Sequence, residues 1–366
     1  LVLMNLPQED TYYYDTYWKP IEEKVLPWTR DAFVRFYLEA KQGSVPKKGL
    51  YYEFKKFRAS CGMNAVQLLQ DMQRHAEVFS WIDWRQFPLE KDQNLKAQIE
   101  YRLLRLQRMY SGPSQRCWTQ FGLQCMLRYQ NEELTAAQII EVLRLVETLI
   151  FRRWFCNRKP NALESFFASL DHKIVTLNEP KAGSDYVSKL KWLLCAPDAQ
   201  LPLDDQLEKT FLNRNFNYIK GPQKVMRNFM LACFEEEHAH GAKSEQVNIF
   251  ERLSAFSLEH IMPQSLTDQW KAALGPDAEK IHGYWLHRIA NLTLIDPSFN
   301  SKYSNRPFKE KCKMEHGYAH SALYSSRAIA QHENWGEAEL QQRNDELYQM
   351  ALKIRPYPTL DNKAES

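Results

Sequence analysis

Apolar residues recur three and four positions apart through most of the chain from Tyr12 to about Leu194. The clearest runs are Gln98 to Met109 and Ala136 to Phe155, where that spacing gathers one apolar stripe along a helix. Glycine and proline break the pattern at Pro27, between Gln42 and Gly49, at Ser111-Gly112-Pro113 and between Asn157 and Asn161. A multi-helix bundle is expected, with no repeat of fixed period. Between Cys195 and Asp205 the periodicity lapses and two prolines appear, which places a domain boundary there. The expected division is a helical domain over 1–196 and a second domain over 197–366. A helical segment with Phe211, Val225, Phe229 and Phe234 follows, ending in the acidic run Glu235 to Glu237, with His238 and His240 on a loop beyond it.

The period then changes. Phe256 to Met262 alternates apolar and polar positions as a short strand does, and stops at Pro263. Asn291 to Asp296 reads as a second strand, closed by Pro297. A helix is expected from Asn305 with Pro307 in its first turn, carrying Lys309, Lys311 and Lys313. The fold class is therefore mainly α, a multi-helix bundle followed by an α+β domain. The latter contains a strand, strand, helix hairpin large enough to hold one metal ion.

Composition narrows the function classes. A length of 366 residues exceeds one average domain, and 44% hydrophobic with 25% charged residues excludes disordered and collagen-like chains. No apolar run is long enough for a membrane span, so no membrane partner is expected. The chain opens at Leu1 with no basic leader or cleavage site, and it is expected to be a piece of something longer without a signal peptide. Seven cysteines, an odd number with no Cys-x-x-Cys pair, argue for reduced thiols, a cytoplasmic location and no structural zinc. Net charge is +3, with the positive excess in the part before Lys220. That excludes a histone-like protein and leaves any nucleic-acid contact to local residues.

Two basic groups stand out in the helical part: Arg102, Arg105 and Arg108 at a spacing of three, and Arg152, Arg153, Arg158 and Lys159 beside Trp154 and Phe155. Each could meet phosphate. The plainer account is a solvated face for the first, and helix-end charge with packing for the second. The aromatic load around Tyr12, Trp18, Trp28, Trp81 and Trp84 reads as core, and His238-x-His240 as a solvent-exposed pair rather than a metal site.

Eight of the ten histidines lie beyond residue 230. Phosphodiester hydrolysis requires a base that takes a proton from water near neutrality, which suits imidazole. It also requires a hard cation on oxygen ligands to receive the charge growing on the phosphoryl group. Glu259, His260 and Asn300 make a candidate site of that kind. Adjacent strand residues point to opposite faces, however. For Glu259 and His260 to share a site the strand must twist or bulge; otherwise Glu259 serves elsewhere.

The sequence Glu259-His260-Ile261-Met262-Pro263-Gln264, then Trp270, His287-Arg288-Ile289-Ala290-Asn291-Leu292-Thr293-Leu294, Asn300, Ser304-Asn305, Phe308 and Lys311 resembles the HNH (ββα-metal) nuclease domain of GmrSD/SspE-like restriction or anti-phage defence proteins. The front part resembles that family's helical region more loosely, through Tyr17-Trp18-Lys19-Pro20, Tyr51-Tyr52-Glu53-Phe54 and Arg152-Arg153-Trp154-Phe155-Cys156. The stretch from Trp335 through Arg343 to Ile354 resembles its C-terminal helix. The resemblance implies that His260 is the general base and that Asn291 holds the hairpin loop and orients it. It implies that Glu259 and Asn300 bind Mg²⁺ or Mn²⁺, and that Lys302, Arg306, Lys309 and Lys311 contact DNA, expected to be phage or modified DNA. Ala290 replaces the glycine common before the asparagine. The family's Asp-Gly-Gln-Gln-Arg nucleotide motif is absent, so nucleotide hydrolysis is expected to belong to an upstream domain. Three readings follow: a metal-dependent endonuclease module that nicks DNA, a DNA-binding or regulatory module with a degenerate hairpin, and a structural fragment.

Overall fold

Helix-forming periodicity and side-chain caps set most of the architecture. The structure, a computed structural model, describes residues 11–46, 48–110, 116–159, 161–217, 221–240 and 249–360, with backbone alone for residues 161, 240, 300 and 301. The break at Ser111-Gly112-Pro113 lies outside the described residues. The chain divides into two units, residues 1–153 with 158–201 and 358–366, and residues 154–157 with 202–357. The described residues are mainly helical, with two short strands in one sheet.

In the first unit, helix Thr119–Gln130 packs against helices Arg30–Gln42, Ala65–Trp84 and Asn161–Thr176. The approach requires a missing side chain: a Cβ on Gly122 would stand 2.8 Å from Trp118 Cζ3 and 3.3 Å from Ile82 Cδ1. Helix Ala65–Trp84 starts at a reciprocal cap. Asn64 Oδ1 accepts from Gln67 N, and Gln67 Oε1 accepts from Asn64 N.

The buried arginines of both basic groups are held inside this unit. Arg105 is buried and donates to Glu147 Oε1 at 2.9 and 2.7 Å, while Arg102 reaches Glu147 Oε2 at 3.4 Å. The expected solvated stripe is thus partly an internal ion cluster around a buried carboxylate. Arg152 and Arg153 are buried too, and Arg153 donates to the carbonyls of Ala199 and Lys159, both at 2.8 Å. Arg153, held by those carbonyls, packs inside the unit, whereas Arg158 and Lys159 are exposed.

The second unit is built on the antiparallel pair β1 (Ser257–His260) and β2 (Leu292–Ile295), in the register Ser257 with Ile295 and His260 with Leu292. Ile261, Met262, Trp270, Trp285, Ile295, Tyr303, Phe308, Tyr318 and Trp335 are among the residues of the core beside it. Helix Pro222–His240 packs against β2 and against helices Tyr324–Ile329 and Glu337–Ile354. It runs through the acidic segment instead of stopping before it, so His238 is a half-buried helical residue and not part of a loop. Glu235 faces inward there and accepts from the backbone N–H groups of Tyr324 and Ser325, both at 2.7 Å. Pro297 likewise opens a helix, Pro297–Tyr303, rather than only closing a strand. Asp296 Oδ1 accepts from Ser298 N at 3.0 Å, and proline suits the first helical position. The next helix is Phe308–Lys313, with Pro307 just before its first turn.

Candidate functional site

Because β1 pairs with β2 residue for residue, without a bulge, Glu259 and His260 point to opposite faces. The strand does not twist to unite them.

On the buried face, Lys311 is completely enclosed. Its Nζ donates to Glu259 Oε1 at 2.7 Å, to the carbonyl of His260 at 3.1 Å and to that of Ile261 at 3.0 Å. All three ammonium protons therefore have acceptors. Tyr318 Oη donates to the same Oε1 at 3.1 Å. Tyr318 reaches it because the chain passes tightly under helix Phe308–Lys313: a Cβ on Gly317 would lie 2.6 Å from the carbonyl oxygens of Lys311 and Cys312. Burial pushes the Glu259 carboxyl up, opposed by Lys311, and pushes the Lys311 ammonium down, opposed by Glu259. The close contact and the full set of acceptors suit the ionised pair. Lys311 is accordingly a correction to the expected DNA contacts, since a sealed ammonium cannot reach a phosphate. Lys302, Arg306 and Lys309 are exposed, and Arg306 pairs with Glu310 at 3.3 Å.

Asn291 is fully buried at the foot of the strand pair. Its Oδ1 accepts from Met262 N at 2.7 Å and from Trp335 Nε1 at 3.3 Å, and its Nδ2 donates to the carbonyls of Met262 at 2.9 Å and Leu286 at 3.0 Å. Its backbone carbonyl accepts from Ile261 N at 3.0 Å. The side chain ties the segment leaving β1 to the segment approaching β2. Arg343 of helix Glu337–Ile354 braces the same place, donating to the carbonyls of Ile289, Ala290 and Leu292.

On the opposite face His260 Nε2 lies 3.1 Å from His287 Nδ1, with the rings nearly perpendicular at 84°. Nearby, His282 Nε2 lies 2.9 Å from the carbonyl of Pro263, so that nitrogen carries the proton. Burial, followed by the positive influence of His287, Arg227, Lys311 and His282, pushes His260 down to about 4. Burial also lowers His287. Burial thus favours the uncharged form of both rings, and Arg227 and Lys311 set positive charge near His260, as suits a place that receives an anion.

Of the two oxygen donors expected for a hard cation, Glu259 does not fit as folded. Glu259 Oε1 is already taken by Lys311 and Tyr318 on the face away from His260. The Asn300 side chain lies outside the described residues, and among the described residues no three His, Cys, Asp or Glu side chains cluster as a metal site.

Sequence patterning singled out His260 and Asn291 but gave Arg227 and Tyr318 no place. Arg227 lies in an earlier helix and Tyr318 beyond the motif, so only the tertiary fold brings them to the hairpin.

An antiparallel strand pair with two neighbouring imidazoles on one face and a buried ion pair on the other is the arrangement within the matched region. Residues 201–350 match the family described as GmrSD restriction endonucleases, C-terminal domain, which supports a GmrSD-like restriction-endonuclease C-terminal part. No curated relative matches the chain. All seven cysteines are free thiols, and no helix among the described residues is long and apolar enough to cross a membrane.

Proposed function

We propose that the second unit is an HNH-type endonuclease module that hydrolyses phosphodiester bonds in DNA, with His260 as general base. The observation that carries this reading is the half-buried His260 imidazole paired with His287 at 3.1 Å within the family-matched region. One proton lies between two neutral rings, so the pair keeps one free basic nitrogen. With His260 Nε2–H donated to His287 Nδ1, that nitrogen is His260 Nδ1. It accepts a proton from water as the water oxygen bonds to phosphorus, the ester P–O bond breaks, and the leaving oxygen is protonated by solvent. Asn291 and Arg343 hold the hairpin that carries His260. Lys302, Arg306 and Lys309 supply exposed positive charge for the DNA backbone.

One such site cuts one strand, so the module nicks. DNA of phage or modified origin, regulation by an upstream nucleotide-hydrolysing domain and a cytoplasmic location belong to the same proposal. Glu259, enclosed by Lys311 and Tyr318, offers no free Oε1 to Mg²⁺ or Mn²⁺ as folded. The enclosure of Glu259 by Lys311 favours a second reading, a DNA-binding module that retains the hairpin without cutting. Supercoiled plasmid incubated with the chain, with Mg²⁺ or Mn²⁺ and with EDTA, separates the two. Open-circular product supports the nuclease, and plasmid that is bound but intact supports the binding module.

A further inference from the structure

Two other arginines of this unit donate to backbone carbonyls. Arg343 donates to those of Ile289, Ala290 and Leu292, and Arg214 to those of Trp154 and Phe155. Arg227, on helix Pro222–His240, is treated differently. It is only 8% exposed, yet Nε and Nη2 reach a single acceptor, Asn228 Oδ1, at 3.2 and 3.0 Å. Among the described residues its Nη1 makes no hydrogen bond and no carboxylate pairs with it. Burial without a counter-charge lowers it to about 10.

A largely buried cation with no counter-charge among the described residues is costly, and the cost is recovered where an anion arrives. Position supports such an anion. Helix Pro222–His240 packs on β2, the partner strand of β1, and the Arg227 charge acts on the His260 imidazole.

We propose that Arg227 is the phosphate-binding group of the His260 site, its N–H groups left free by Asn228 taking a non-bridging oxygen of a DNA phosphodiester. This rests on the nuclease reading for its catalytic consequence but not for the binding itself. As water attacks phosphorus, negative charge grows on the non-bridging oxygens, and a guanidinium already held in place stabilises it without reorganising. Asn228 fixes the guanidinium plane through one edge and leaves the remaining N–H groups for the phosphate. Arg227 gains and loses no proton in the step. Its fork matches two phosphate oxygens in a way that an ammonium cannot.

The test uses the full chain with Arg227→Gln and Arg227→Lys. Binding of a fluorescent DNA duplex is measured in EDTA across a salt series, with His260→Ala present in every variant so that nothing is cut. Arg227→Gln is expected to lower the log–log salt slope by about 0.9, the loss of one phosphate contact, and Arg227→Lys to keep it. In the His260 background, plasmid nicking by Arg227→Gln is expected to fall about 10²-fold in kcat, with Arg227→Lys recovering only part of the loss. Melting temperatures within a few degrees of wild type show that the fold is kept. If Arg227→Gln does not fold, Arg227→Lys carries the comparison. A nicking rate at least tenfold below wild type then supports the assignment, and a wild-type rate overturns it. A salt slope unchanged in Arg227→Gln, or nicking within a factor of two of wild type, also overturns it. If the wild-type chain does not nick but Arg227→Gln flattens the salt slope, the nuclease reading fails and the phosphate assignment stands.

Discussion

Replacing Glu259 by alanine separates an internal ion pair from a metal ligand. The substitution leaves the Lys311 ammonium enclosed, with the carbonyls of His260 and Ile261 as acceptors and no negative charge. Removing one partner of a buried pair costs about 3–5 kcal/mol, a large share of the roughly 5–15 kcal/mol that holds a domain folded. Tyr318 Oη also loses its acceptor, which places Glu259→Ala toward the upper end of that range. Removing both charges with Glu259→Leu and Lys311→Met fills the same space with apolar groups and is expected to cost much less than the single change. Urea unfolding followed by circular dichroism reads this as a drop in midpoint at an unchanged slope for Glu259→Ala, recovered in the double variant. A metal-ligand role predicts the reverse: wild-type stability with a raised Mg²⁺ or Mn²⁺ requirement for cutting. That result would refute the assignment of Glu259 to the ion pair.

His75 is held at about 4 chiefly by burial. Its Nδ1 bonds the Asp71 carbonyl at 2.8 Å and its Nε2 is enclosed without a partner. A pKa lower in the folded than in the unfolded chain gives stability that is complete above about pH 6.5 and lost as pH falls toward 4. Thermal melts of wild type and His75→Phe between pH 7.5 and 4.5 should show a weaker acid dependence in the variant, and identical slopes contradict this reading. Asn291→Ala strands Met262, Leu286 and Trp335 polar groups in the interior and is expected to cost about 2–4 kcal/mol. A loss below about 1 kcal/mol in urea unfolding would contradict its role as the tie at the hairpin foot.

The helix over Ala136–Phe155 and both strands were legible from periodicity, because one buried face dictates the spacing of apolar residues. The run beginning near Gln98 marked another helix, although it starts earlier, at Gln93, where Asp92 caps it. Helix Pro297–Tyr303 was hidden, since a proline after a strand signals an end as readily as a helical first turn. The opposed directions of Glu259 and His260 followed from strand alternation. The sequence could not show what met Glu259, because Lys311 lies in a later helix and its exposure depends on tertiary packing. For the same reason Arg102 and Arg105 looked like a solvated stripe, while their partner Glu147 sits on another helix. Arg227 gave no signal at all: its distinction is the absence of a counter-charge among the described residues, a property of packing rather than of spacing.

The central claim is that His260 accepts the proton of the attacking water, and its most direct test is the nicking rate of His260→Ala against wild type on supercoiled plasmid. Both proteins are compared at equal folded concentration and equal occupancy of DNA. The account predicts a loss of about 10²–10⁴-fold in open-circular product formation, with melting temperature and duplex binding close to wild type. Nicking by His260→Ala within a factor of two of wild type would contradict it.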